Sequence, residues 1–408
     1  MKFNIEFIVG ISSLLIIVIS IAKLILWDIY QLLIYKKTKI KKNIEYKISI
    51  VIPAHNEEKT IQKTVLSALG SIYKKKEIIV INDGSTDDTL RILKEIQLEY
   101  KNLIIIDKSN EGKASALNTA IFKYVTGDIV VILDADTKID KRSLSEINLT
   151  FQNPEIIAAS SNIRIAHPKK FIEWYQFYEY IYSCHSRGTQ SMINSQYIIG
   201  GAGSIFRTDI LKSVNGYKLN TLTEDIDMTL KIIQKYGNTK HSLGYISNSI
   251  LYTDPVHNIN DLVKQRYRWK LGLFIALYKY KSLIFQKTKI YSKLFTFVVY
   301  PLQYLSIFLS LFTPILTLSV IVAIFSLSFN LYLLLTILFG VMTYITLFNE
   351  PKITHLDKIK LTILAPAAVI ISLMYSYVEV ISLYKVVKTL IINGNNTDEK
   401  GTWDHVSR

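Results

Sequence analysis

Three short runs of apolar residues, Ile48-Ser49-Ile50-Val51-Ile52, Glu77-Ile78-Ile79-Val80-Ile81 and Asp128-Ile129-Val130-Val131-Ile132-Leu133, predict strands buried on both faces. Between them, residues 57–69 and 86–100 carry apolar positions at helical spacing, and each begins near Asn, Asp or Thr residues able to cap it. Strand and helix in alternation predict an α/β fold, a mostly parallel sheet with helices on both faces. Such sheets bind ligands beyond the carboxyl ends of their strands, which is where the polar residues of this region fall.

Longer apolar runs flank this region. Residues 7–27 carry only Lys23 as an interior charge and are long enough to cross a hydrocarbon layer of about 30 Å. The basic stretch Tyr35 to Lys42 follows, and because positive flanks stay cytoplasmic it places the chain after residue 35 inside the cell. Residues 294–325, 331–348 and 363–384 are three further spanning candidates, with Pro301, Pro314 and Pro366 as candidate kinks. Lysines flank the last of them on both sides, so charge does not orient it. The chain therefore divides into an anchor (1–34), a cytoplasmic domain with interfacial helices (35–290), C-terminal transmembrane helices (291–390) and a polar tail (391–408). A multi-pass protein of the plasma membrane is expected.

Composition sharpens this picture. With 408 residues, 50% hydrophobic and 20% charged, the chain is not a disordered one. Its 48 Lys+Arg against 33 Asp+Glu give +15, an excess that attracts polyanions. The basic residues are spread along membrane flanks and not gathered into one reading helix, so they fit an anionic membrane face and no nucleic acid. The single cysteine, Cys184, excludes an internal disulfide and a cysteine-rich zinc site, and suits the cytoplasm.

Candidate chemistry sits at the strand ends. Pro53-Ala54-His55-Asn56-Glu57-Glu58 follows the first strand, and Asn82-Asp83-Gly84-Ser85-Thr86-Asp87-Asp88 follows the second. Gly84 allows a sharp turn that points the Asp83 carboxylate into the crevice, where ribose hydroxyls or a uracil imide could donate to it; an ordinary Asp-Gly-Ser turn is the alternative. Gly112-Lys113 stands at a predicted helix start suited to an anion. Asp134-Ala135-Asp136 closes the third strand, and two carboxylates at i and i+2 leave an extended strand on one side, suiting a hard divalent ion. Thr223-Glu224-Asp225-Ile226-Asp227 opens an amphipathic helix (225–236), where the acids either serve the helix dipole or include a proton acceptor for an attacking hydroxyl. Gln265-Arg266-Tyr267-Arg268-Trp269 reads as a diphosphate and sugar contact, or as an interfacial helix with snorkelling basic residues; one helix accommodates both.

In order, AHNEE, NDGSTDDT, GKASALN, DAD, TEDID and QRYRW resemble the signatures of the membrane-bound processive family-2 glycosyltransferases, over about residues 47 to 275. Within that group the phrasing is most similar to the poly-β-1,6-N-acetylglucosamine synthases. The resemblance implies a GT-A type transferase domain, a UDP-sugar donor, a polysaccharide acceptor, a lipid bilayer around the flanking segments and a small membrane accessory subunit. It also implies roles for individual residues. Asp83 would contact the uridine, with Ala54, Asn56 and Glu57 lining the nucleotide pocket and Lys113 near it. Asp136, helped by Asp134, would hold Mg²⁺ or Mn²⁺ on the diphosphate. Asp225, with Glu224 beside it, would be the general base, Arg268 would stabilise the departing UDP, and Gly201, Gln265 and Trp269 would meet the acceptor.

Direct displacement with a base on one face of the anomeric carbon implies inversion. Two departures from the family pattern, Glu111 where Arg is common and His55 where an aromatic residue is common, leave the donor open. A hyaluronan, chitin or glucan-type synthase using another UDP-sugar, and a non-processive enzyme making a glycolipid, are the alternatives within the class. A transporter or scaffold with a degenerate domain is disfavoured by the intact Asp83, Asp136 and Asp225.

Overall fold

The computed structural model describes residues 44–219, 221–310 and 353–393, with positions 337, 340, 341, 343, 344, 347, 348 and 350 between them. The chain first alternates strand and helix: β1 (Ile48–Ala54), α1 (Ile61–Leu69), β2 (Lys76–Asp83), α2 (Thr89–Glu99), β3 (Leu103–Lys108), α3 (Lys113–Lys123) and β4 (Ile129–Ile132). It continues through β5 (Thr137–Ile139), α4 (Ser143–Thr150), β6 (Ile156–Ile165), α5 (Phe171–Met192) and β7 (Ser204–Arg207). Then come α6 (Thr208–Ser213), α7 (Glu224–Tyr236), β8 (Ser242–Thr253), α8 (Ile259–Lys279), α9 (Tyr300–Ser310) and α10 (His355–Asn393).

Among the described residues eight strands form one sheet in the order β3-β2-β1-β4-β7-β6-β8-β5. The expected mostly parallel sheet holds only for the half built by the alternating segment, where β1 pairs in parallel with β2 and β4, and β2 with β3. Beyond β4 the sheet is mixed: β4–β7, β6–β7 and β5–β8 are antiparallel, and β6–β8 is parallel. The cause is local. After β4 the chain turns back at Asp134, whose carbonyl accepts from the Thr137 N–H at 3.0 Å, and enters β5 with no crossover helix.

Alternation along β1 divides the core between the two faces of the sheet. Ile48, Ile50 and Ile52 pack with Ile61, Val65 and Ala68 of α1 and with Leu144 and Ile147 of α4. Val51 belongs to the opposite core, with Ala116, Leu117 and Ala120 of α3 and Ile226, Leu230 and Ile233 of α7. Each Ile, Leu or Val side chain buried in this way stabilises by about 1.5–3 kcal/mol. The helices start later than their apolar spacing predicts. Residues 57–60 form a turn in which Thr60 Oγ1 donates to Glu57 Oε2 at 2.7 Å, and α2 waits for Thr89, whose N–H and hydroxyl both donate to Asp87 Oδ1 at 3.0 and 2.6 Å.

The C-terminal segment is tied to this domain at named points. Glu350 is buried and pairs with Arg164 of β6 at 2.6 Å and with His185 of α5, while Glu379 of α10 pairs with Lys270 of α8. Among the described residues no helix is long and apolar enough to cross a membrane. The expected span at 7–27, residues 311–325 of the second and most of 331–348 lie outside the described residues, as does the polar tail after 393.

Candidate active site

In the parallel half of the sheet, β1, β2 and β4 all end at one edge, and the strand order reverses between β1 and β4. The polar motifs of the sequence lie along that edge in three groups.

The first group gathers around Lys113, the first residue of α3. Its ammonium lies 2.8 Å from Asp134 Oδ1 and 3.0 Å from Glu224 Oε1, joining the turn after β4 to the first turn of α7. Burial alone would lower the lysine pKa, but the flanking carboxylates Asp134 and Glu224 overcome it and hold the group charged. Asp225 follows Glu224, and its Oδ1 accepts from the N–H of Ile226 at 2.9 Å. Burial pushes its carboxyl up to about 6, with Glu224 adding to the effect and Lys113 opposing it. Gly201 stands against both groups: a methyl at that position would lie 3.4 Å from Lys113 Nζ and 3.6 Å from Asp225 Oδ2. The glycine thus leaves room between the cation and the carboxylate. Lys113, Asp134, Glu224, Asp225 and Gly201, expected from sequence in four different roles, form one cluster.

Asp136 lies two residues beyond Asp134, but the chain here is a turn, so the extended-strand geometry expected of the pair does not apply. Its carboxylate is 9% exposed, and Oδ1 accepts from the hydroxyls of Thr137 at 2.9 Å and Thr253 at 3.4 Å. Among the described residues no three His, Cys, Asp or Glu side chains gather into a self-contained metal cage. The donor set offered by Asp136 and Asp134 is hard oxygen only. That fits Mg²⁺ or Mn²⁺ bound through one or two carboxylates and completed by diphosphate oxygens.

The second group surrounds Asp83, and here the expectation needs correction. Instead of pointing into the crevice, the Asp83 carboxylate is 0% exposed; it accepts from Lys108 Nζ at 2.7 Å, from the N–H of Glu111 at 3.1 Å and from the N–H of Gly112 at 2.8 Å. Gly84, at φ +68°, lets the chain turn so closely that a Cβ there would lie 2.6 Å from the Asn110 nitrogen. The 109–112 loop therefore closes over the carboxylate. A nucleotide reaching Asp83 has to displace Lys108 or that loop. Ala54 is buried at the end of β1. Asn56 joins the two strand-end loops, its Oδ1 accepting from the Thr86 N–H at 2.7 Å and its N–H donating to Ser85 Oγ at 2.9 Å. Glu57 donates its N–H to Thr89 Oγ1 at 2.7 Å.

The third group lies on α8. Gln265 is buried and accepts from Arg266, so it braces its neighbour. Arg266 forks onto Glu179 of α5 at 3.1 and 2.6 Å and lies 4.2 Å from the centroid of Trp269, covering one face of that ring. Arg268 is half-buried on the same helix.

Sequence reasoning missed α5 and Tyr217. Tyr180 of α5 lies within electrostatic reach of both Arg266 and Asp134, bringing the first and third groups together; burial pushes its phenol up to about 12. Arg187, two turns on, donates to the Ile199 carbonyl at 3.2 Å beside the Gly200-Gly201 loop. Tyr217 is buried next to Glu224 and Asp225, and burial, then Glu224, raise its phenol so that it stays neutral. The signal for Tyr217 was Asn118, inside a motif already noted, whose side chain clamps the Tyr217 backbone at 2.7 and 2.8 Å.

Residues 49–214 match the sequence profile described as Glycosyl transferase family 2. A poly-β-1,6-N-acetyl-D-glucosamine synthase of Staphylococcus epidermidis is 33% identical over 228 residues, 55% of this chain and 54% of that protein. The synthase of the same description from Staphylococcus aureus (strain COL) is 31% identical over 229 residues, again 55% of this chain and 54% of its own. The chain spans about half the length of the curated relatives it matches. Among solved structures, a mannosyltransferase from Pyrobaculum calidifontis in complex with GDP-Man and Mn²⁺ has the same fold, with a TM-score of 0.54 over 87% of this chain and 97% of that one at 19% identity. Residues 49–214 thus carry the sequence profile of family-2 glycosyltransferases, on a sheet with the fold of that mannosyltransferase.

Proposed function

We propose that the chain is a membrane-bound, inverting and processive transferase that moves N-acetylglucosamine from its UDP donor to a growing β-linked polysaccharide. The observation that carries the reading is the cluster around Lys113, in which Asp225 stands across the Gly201 gap from the cation with its carboxyl pushed up to about 6. A carboxylate so tuned accepts a proton readily near neutral pH.

In this reading Asp225 takes the proton of an acceptor hydroxyl as that oxygen attacks the anomeric carbon. The bond from that carbon to the diphosphate oxygen breaks, and its electron pair leaves with UDP, so an α-linked donor gives a β-linked product. Arg268 receives negative charge developing on the diphosphate. Asp136, with Asp134, would hold a divalent cation, which when bound neutralises the diphosphate and eases its departure. Lys113 pairs with Glu224 and Asp134 and pulls the Asp225 carboxyl down against burial and Glu224, so the base is not pushed higher still. Trp269, with one face backed by Arg266, offers the other to a sugar ring.

Membrane association is supported by exposed apolar side chains along and before α9, among them Phe297, Leu302, Leu305 and Phe308, and along α10, among them Ile363, Ile381 and Tyr384. The sugar is supported by the staphylococcal relatives, which are poly-β-1,6-N-acetyl-D-glucosamine synthases. The test is incubation of membranes carrying the protein with a panel of radiolabelled UDP-sugars, followed by linkage-specific hydrolases. Polymer from UDP-N-acetylglucosamine alone is expected. Polymer from UDP-glucose instead, or a single glycolipid in place of polymer, contradicts the assignment.

A further inference from the structure

We propose that Gly272 is a positioning residue: by allowing α8 to lie directly on the first turn of α7, it sets the distance from Asp225 to Arg268 and Trp269. A Cβ at Gly272 would stand 2.3 Å from Thr223 Cγ2, 2.6 Å from Thr223 Oγ1 and 2.9 Å from Thr223 Cβ, so even a methyl group does not fit. Thr223 immediately precedes Glu224 and is 5% exposed. Its hydroxyl has no hydrogen-bond partner among the described residues, so beyond the helix-start bond from the Asp227 N–H to its carbonyl at 3.1 Å, packing against α8 and not a side-chain cap holds this residue in place. A short β-branched side chain has no flexible end that could swing aside.

The placement on α8 gives the contact its consequence. Gly272 follows Arg268 by four residues and Trp269 by three, so all three lie on adjoining parts of one helix face. One turn along α7, the buried Asp227 accepts from Lys279 at the end of α8 and from Tyr280 Oη at 3.2 Å. The two helices are thus held together at two points. On its far side α8 is backed by α10, through Lys270 with Glu379 and through Leu271 and Phe274 with Val386. Added bulk at Gly272 therefore cannot be absorbed by α8 retreating, and the α7 turn that carries the carboxylates has to move.

The inference rests on Asp225 and Arg268 acting on one substrate. A misplacement of about 1 Å at a reacting centre costs on the order of 100-fold in rate. Four full-length proteins are compared: wild type, Gly272→Ala, Thr223→Ala and the double variant, each assayed for kcat, UDP affinity and thermal unfolding. Gly272→Ala is expected to lower kcat about 100-fold while UDP affinity stays within about twofold. Because alanine in place of Thr223 lacks both Cγ2 and Oγ1, the double variant is expected to recover at least about tenfold over Gly272→Ala, and to recover unfolding temperature as well. Wild-type kcat in Gly272→Ala overturns the proposal. So does a double variant no faster than Gly272→Ala, or loss of UDP affinity in step with kcat. The unfolding measurement separates this idea from the sugar assignment: coupling between Thr223 and Gly272 stands even where wild type transfers nothing from UDP-N-acetylglucosamine, and additive effects overturn it whichever sugar is used.

Discussion

Asp225→Asn is expected to lower kcat by about 10³-fold, within the range a positioned general base contributes, while UDP affinity changes by less than about twofold. Asparagine preserves the shape at the start of α7 and removes only the proton acceptor. The same substitution should stabilise the fold. With its carboxyl pushed up to about 6 by burial and Glu224, Asp225 holds its proton more tightly folded than unfolded. Its stabilising contribution is complete below the unfolded value of about 4 and is lost as pH rises through about 6, so at neutral pH the ionised group opposes folding by about 3 kcal/mol. The neutral amide escapes that cost, and thermal unfolding at about pH 7.5 should show the variant as the more stable protein. In the wild type, kcat/KM should fall as pH drops through about 6, since the proton then occupies the base. Retained turnover in Asp225→Asn, or an acid limb near pH 4, would exclude Asp225 as the base.

Asp136→Ala is expected to remove about 10³-fold of activity at any Mn²⁺ concentration, the equivalent of the several kcal/mol a cation supplies at a departing diphosphate. The carboxylate is buried and held by the Thr137 and Thr253 hydroxyls, so its orientation is fixed before any ligand arrives. Asp134 alone does not replace it, because Lys113 engages one of its two oxygens, Oδ1, at 2.8 Å and leaves it a helper to Asp136. Titration of wild type and variant with Mn²⁺, followed by UDP release, checks this. A variant with full activity, with or without Mn²⁺, would show that Asp136 holds no catalytic ion.

The strand ends were legible because runs such as Ile48 to Ile52 and Asp128 to Leu133 are short, β-branched and followed at once by polar motifs. Asp83, Asp134 and Asp136 could be singled out for that reason, and Glu224 and Asp225 because they open an amphipathic helix. What they touch was not legible. The closure of the 109–112 loop over Asp83 depends on Lys108, in the adjacent strand and 25 residues away, and the paired Lys113 and Glu224 lie 111 positions apart. Neither leaves a local pattern. The antiparallel half of the sheet escaped for a different reason: β5 has three residues, β7 four, and β8 mixes serine with apolar positions, so none reads as a strand alone. Helix α5 has a strong helical pattern but no motif, and only tertiary packing brings Tyr180 and Arg187 to the site.

The most direct test is the configuration of the bond the protein makes. Purified full-length protein is incubated with UDP-α-N-acetylglucosamine and Mn²⁺, and the anomeric coupling in the product is read by proton NMR. A new β-glycosidic bond is predicted, because one displacement assisted by Asp225 inverts the donor carbon. An α-glycosidic bond, or UDP release with free sugar and no bond formed, would contradict that role for the cluster around Lys113.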